Sequence, residues 1–273
     1  MLKIELKRAI LRKKFLIIIF IGILIEFLSG YNAIHKYIFF DYNASDIQSP
    51  ALQATARKMV QDGLNMYSVW FKSLTLYTPL MPIIAALPYS LAYLEDVKNG
   101  MVKYIDIRIN HKKYLFTKLL ANGLAGGIAV SFPLIILTVI VSVFFSGSIN
   151  DFFGKGGYGG VFSNLLIYNF YLYVLVHILI NFIFGFAYSS IALAVSSIIK
   201  NTIAIMISPF LFWIGADLIL QFFNVQSYLP TSINQFYLTP NVTLNEILVE
   251  LVFITFFSSV IFILKSQKRN IYE

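Results

Sequence analysis

Residues 15–33 read FLIIIFIGILIEFLSGYNA, with Glu26 as the one ionisable side chain in the run. A helix crossing a bilayer needs about 20 mainly apolar residues, and this stretch supplies them. Five further runs of the same kind follow, at Leu74–Leu94, Leu115–Phe145, Leu165–Ile199, Thr202–Phe223 and Ile247–Leu264. The pattern predicts an all-α polytopic membrane protein of six transmembrane helices, a single transmembrane domain over residues 1–273. Composition agrees: of 273 residues 58% are hydrophobic and 12% charged, against about 25% charged in a soluble domain. Disorder and collagen-like repeats fall by the same arithmetic, since the 15 Gly and 8 Pro follow no period. The absence of Cys removes disulfides, thiolate metal sites and thiol nucleophiles together.

Before the first run stands a basic segment, residues 1–14. It resembles the start of a signal peptide, but Glu26 interrupts the apolar run and no small-x-small site follows, so it is expected to be retained. Leu2, Leu6, Ala9 and Ile10 recur at helical spacing with Lys3, Lys7 and Lys14 around the turn. That predicts an amphipathic helix on the inner membrane surface, its cations among anionic headgroups. Sixteen Lys and Arg fall on the side of the termini and five on the other, which places both termini in the cytoplasm of a multi-pass cell-membrane protein. The formal charge of +8 is thereby mostly topology. No zinc spacing or aromatic-interleaved basic groove accompanies it, so nucleic acid is not expected as a partner.

Residues 35–72 form the longest outer loop, with a surface helix predicted over Ala51–Tyr67. A glycine-rich outer loop spans Gly147–Gly160, and a third, Val225–Thr243, contains Pro230 and Pro240 and is expected to re-enter the interface. Asn43-Ala-Ser45 and Asn241-Val-Thr243 match the glycosylation sequon. Pro79, Pro82 and Pro88 predict a bent, protein-facing second span.

Catalytic signatures are weak. Gly154-Lys155-Gly156 has six residues back to Gly147 instead of four and no Ser or Thr after the Lys, so it is no ATP-binding loop. His177-Ile-Leu-Ile-Asn181 has the H-x-x-x-N form of intramembrane metalloproteases, without their second His and paired glutamates; the three His lie on separate segments, and no metal site is expected. Glu26, Asp217 and Glu250 lie within spans, at about 18, 25 and 22 Å along the helix from the nearest inner cation. Ionisable groups at such depth can mark a pathway, and with His177 these are the candidate substrate-path residues; the bland reading is that each reaches the interface or is paired.

The most informative polar stretch is YLEDVKNGMVKYIDIRINHKKYLFTK, Tyr93–Lys118. It is too charged for hydrocarbon. Gly100 is expected to break it into an acidic entry and a helix on which Val102, Ile105 and Ile109 share one face, a docking element for a soluble partner. Here the chain resembles the membrane subunits of ABC exporters, the ABC type-2 permease family. In that family the loop after the second span carries an acidic residue, Gly-Thr, apolar residues, Arg-Pro-x-Ser-Arg, then an aromatic and a Lys. Glu95, Gly100, Arg108, Lys112, Tyr114 and Lys118 sit at matching places. Met101 replaces the Thr, Ile109 the Pro, and Asn110 and His111 stand where Ser is expected. The resemblance implies that residues 94–113 are a cytoplasmic coupling helix and loop. It also implies a second permease subunit, and cytoplasmic ATPase subunits that hold ATP and Mg, with no cofactor on this chain and no enzyme activity of its own. The cargo expected is an amphipathic or hydrophobic peptide, drug or lipid. An intramembrane enzyme and an ATP-independent immunity or sensor protein are the competing classes.

Overall fold

The computed structural model describes residues 1–44, 47, 49–149, 159–240 and 242–272. The helices are α1 (Leu2–Ile10), α2 (Lys13–Ile38), α3 (Pro50–Gly63), α4 (Met66–Ala86), α5 (Ala92–Lys98), α6 (Met101–Arg108), α7 (His111–Phe144), α8 (Ser163–Tyr168), α9 (Phe170–Ser196), α10 (Thr202–Phe222), α11 (Pro230–Asn234) and α12 (Leu244–Tyr272). No strand occurs among the described residues. Five helices are long and apolar enough to cross a membrane: α2, α7, α9, α10 and the Leu244–Gln267 part of α12. Phe20 and Phe27 on α2, Leu218 on α10, and Phe253 and Phe256 on α12 stand exposed on the bundle surface. Such a surface suits hydrocarbon and is costly in water, as a membrane-embedded multi-pass protein requires.

The run expected as the second span, Leu74–Leu94, is not among those five. Its helix starts earlier, at Met66, because the Asn65 side chain caps it by accepting from Tyr67 N at 3.0 Å. That cap also ends the surface helix at Gly63, short of the expected Tyr67. Pro88 brings no N–H to extend α4, and residues 87–91 form a turn into α5. Ser68, Lys72, Ser73, Thr75 and Thr78 dilute the apolar character of α4. Ser68, Ser73 and Thr78 are buried where α4 packs against α2, α7, α9 and α10, whereas Thr75 is exposed. Pro79 and Pro82 lie inside it, as a protein-facing bent helix requires.

The fourth run also divides. Asn169 breaks helical geometry and caps α9 by accepting from Leu172 N at 3.1 Å, leaving α8 as a separate turn. Asn110 and Asn201 cap α7 and α10 in the same way. The centre of the bundle is the contact of α7 with α9. A Cβ on Gly126 would stand 2.6 Å from the Cβ of Ser189 and 2.7 Å from the Gly185 carbonyl oxygen, so the two backbones meet where only small residues fit. Asn122 fixes the register, its amide donating to Ser189 O at 2.8 Å and its carbonyl accepting from Ser90 at 3.1 Å.

The segment Leu229–Tyr237 turns inward between α10 and α12, burying Ile233, Asn234, Phe236 and Tyr237. The stretch expected to re-enter the interface therefore folds back into the helix bundle itself. Most of the glycine-rich stretch, and Ser45 and Asn241 of the two sequons, lie outside the described residues.

Candidate functional site

Two polar constellations occupy the bundle. The first lies where α1, the turn after α4, α5 and the start of α7 converge. Lys118 is fully buried, and its ammonium reaches Asp96 at 2.6 Å and Glu5 at 2.7 Å. Arg8 sits across the same two acids, at 2.8 Å from Asp96 and 3.2 Å from Glu5. Tyr114 donates to Asp96 at 2.9 Å, Tyr89 donates to Glu5, and Lys118 donates to Tyr89 at 3.2 Å. Two cations and two carboxylates therefore balance in a ring closed by two phenols.

Burying one such charge alone costs several kcal/mol. Here every charge has two opposite neighbours, and Asp96, Glu5 and Lys118 each make a further hydrogen bond to a phenol. Burial pushes the Asp96 carboxyl up, but the Arg8 hydrogen bond and the Lys118 charge outweigh it and hold the group below the ordinary carboxylate range. The ring ties the N-terminal helix to α5 and α7, elements far apart in sequence.

The ring anchors the α5–α6 element. Gly100 joins the two helices with φ +66, the left-handed conformation in which an L side chain costs roughly 1–2 kcal/mol. That is the break expected at Gly100. Glu95 is half-buried and pairs with Arg12 at 3.4 Å, a surface contact worth about 0–1 kcal/mol. Arg108 and Lys112 are exposed, and Ile109 is half-buried.

The face expected to meet a partner is turned inward. Val102 is 5% exposed and packs with the half-buried Ile105 against Tyr93, Tyr114 and Phe262. What α6 presents outward is Met101, Tyr104 and Ile107, 43%, 73% and 82% exposed. The reason is that a short helix on a bundle end must first bury a stripe against its own protein, and Tyr93, Tyr114 and Phe262 provide the apolar seat for Val102 and Ile105.

The second constellation holds the candidate path residues. Asp217 accepts from Thr231 N at 3.0 Å and from Thr231 Oγ1 at 2.8 Å, capping the inward-turning segment. Glu250 accepts from the Tyr188 hydroxyl at 2.9 Å, and Asp217 lies within Coulombic range of both. Glu26 is elsewhere, buried on α2 with Tyr77 in Coulombic range and neither carboxyl oxygen hydrogen-bonded. The structure thus brings Asp217 and Glu250 together and sets Glu26 apart. His177 is buried under Trp70, Tyr173, Phe236 and Tyr237, with ring centroids 5.0, 6.1, 4.9 and 5.6 Å away. No group of three or more His, Asp or Glu able to hold a metal ion occurs among the described residues.

Sequence reasoning missed Glu5, Arg8 and Tyr89, and it gave Asp96 and Lys118 no shared role. One signal was available. Lys118 is a lone cation already inside an apolar run, and Glu5 is the lone acid of a basic segment; each needs an opposite partner if buried. No protein-family model, curated protein or solved structure matches the chain, and nothing in those comparisons identifies it as an ABC type-2 permease.

Proposed function

We propose that this chain is the transmembrane subunit of an ATP-driven ABC exporter, working beside a second permease and two cytoplasmic ATPase subunits that hold ATP and Mg. In this reading α4 is the sixth span, α1 lies at the inner surface of the cell membrane, both termini are cytoplasmic, and α5–α6 is the coupling element. Cargo is an amphipathic or hydrophobic molecule such as a peptide, drug or lipid. The observation that carries the reading is the α5–α6 element itself. Its inner side is fixed to α1 and α7 through buried charges, and its outer side offers Met101, Tyr104 and Ile107. Around that apolar patch Lys98, Lys103, Arg108, Lys112 and Lys113 are exposed, which suits a partner surface with an acidic rim. An element anchored by buried ion pairs on one side and exposing an apolar patch on the other can pass a displacement from a soluble subunit to the bundle. ATP-driven closure shifts the bundle only if the partner binds α6 differently in the two states.

The test is co-purification with a candidate ATPase subunit, using Tyr104→Ala and Ile107→Glu. The unaltered chain is expected to bring down the ATPase, change its turnover and show no hydrolysis alone. Both variants should lose the partner while keeping stability within about 0.5 kcal/mol, as surface changes do. Robust ATP hydrolysis by the chain alone, or partner capture unaffected by both variants, would sink the assignment.

A further inference from the structure

The α9 stripe Tyr173, His177 and Asn181 repeats every four residues and faces the bundle core, together with Asn234 of the inward-turning segment. All four residues are at most 1% exposed. Among them the Tyr173 hydroxyl, both ring nitrogens of His177, and the carboxamide oxygens of Asn181 and Asn234 have no hydrogen-bond partner. Each such atom left dry carries a desolvation penalty, and folded proteins leave few of them. Five in one neighbourhood are too many to be incidental. Their surroundings are aromatic: Trp70 and Tyr173 on one side, Phe236 and Tyr237 on the other. None of these rings is charged.

Phe236 and Tyr237 belong to a segment tied to the bundle by side-chain and backbone hydrogen bonds, the Tyr237 hydroxyl lying 3.4 Å from Thr78 Oγ1. Asn234 donates to Thr78 O at 3.0 Å, a carbonyl freed from its helical bond by Pro82. Thr231 donates twice to Asp217, and Gly159 N donates to Tyr237 O at 2.9 Å.

We propose that Trp70, Tyr173, His177 and Asn181 form an internal binding site for an uncharged, ring-bearing molecule with hydrogen-bonding groups. The segment Pro230–Tyr237 plugs this site, Phe236 and Tyr237 standing where the guest's ring would stand. Trp70 and Tyr173 supply ring faces, and the orphan atoms of Tyr173, His177 and Asn181 supply donors and acceptors for the guest's polar groups, while Asn234 leaves with the plug. The Asp217–Thr231 contact is the latch, because it fixes the N-terminus of α11 and releases the plug when broken. The site stands apart from the exporter assignment, since binding is read with no ATPase present.

The chain contains no Cys, so a single introduced thiol reports on access. The full chain, purified into phosphatidylcholine nanodiscs, would carry Asn181→Cys and be labelled with N-ethylmaleimide. Indole is the probe, a single aromatic N–H compound of about the size of the rings it would replace. Labelling should be slow with the latch intact and about tenfold faster with Thr231→Val or Asp217→Asn, the ratio expected on losing a charge-assisted hydrogen bond. Indole should then slow it again. Leu134→Cys, buried in the apolar core, should stay unlabelled throughout. Thr231→Val keeps the Asp217 carboxylate, so the latch is testable even if Asp217→Asn does not fold. Labelling equally slow with and without the latch would overturn the plug. An equal rise at Leu134→Cys would show general loosening and reject it too. Fast labelling that indole leaves unchanged, together with no saturable indole binding to Thr231→Val protein that keeps Asn181, would mean a water-filled crevice with no ligand site and overturn the proposal.

Discussion

Lys118→Met removes the cation at the middle of the buried ring and nothing else. Methionine matches the length of the lysine stem, so the packing against Tyr89 and Tyr114, whose rings lie 5.0 and 5.7 Å from the ammonium, is largely kept. What changes is charge. Glu5 and Asp96 are left buried, with Arg8 alone to serve both. Removing one partner of a buried ion pair costs about 3–5 kcal/mol, chiefly through the charge left behind. The loss here should fall within that range, since Arg8 retains part of the balance. Adding Glu5→Gln restores one cation to one carboxylate, and Tyr89 still has an acceptor. The double variant should therefore be more stable than Lys118→Met alone, with a coupling energy inside the roughly 0.5–3 kcal/mol seen for contacting residues. Unfolding of the purified protein in mixed micelles against increasing SDS measures all three. If Lys118→Met costs nothing, or the two losses simply add, the ring does not hold α1 on α5 and α7.

Two further expectations rest on the same structure. Gly126→Ala should destabilise the bundle by about 1–3 kcal/mol through overpacking at the α7–α9 contact, read by the same SDS titration. Asp96 gives a pH dependence: its folded carboxyl lies below its ordinary value, so its contribution is complete above about pH 4 and is lost as pH falls toward the depressed value. In Arg8→Met, which removes the largest of the effects that lower it, the loss should begin at higher pH; thermal unfolding across an acid series would show it.

Most of the helices were legible because their signals are local. Runs of apolar residues gave five helices with boundaries within five positions, except the end of α12, which runs eight residues past the expected Leu264, and Gly100 marked the α5–α6 break. Errors arose where a single capping residue decided the outcome. Asn65 and Asn169 each split a continuous pattern into two helices, because a side-chain oxygen at the cap outweighed the periodicity around it. The expected second span is missing from the five most apolar helices for another reason. Apolar content measures exposure to lipid, and α4 packs against other helices, so the protein relaxed the very property used to find it.

The polar sites were harder to read because their members are close only after folding. Glu5 and Lys118 are separated by 113 positions, and Asp217 meets Thr231 only because the chain turns back on itself. Pattern still carried part of the answer. On α6 the stripe expected from sequence was Val102, Ile105 and Ile109, and periodicity alone cannot say whether such a stripe faces a partner or the protein itself. The surroundings settle that: Tyr93, Tyr114 and Phe262 form an apolar seat that accepts Val102 and Ile105, leaving Met101, Tyr104 and Ile107 outside. A docking face inferred from sequence is therefore best taken as the stripe opposite the one a small helix needs for its own attachment. By that argument Val102→Asp should damage folding before it damages any partnership, and Ile107→Glu the reverse.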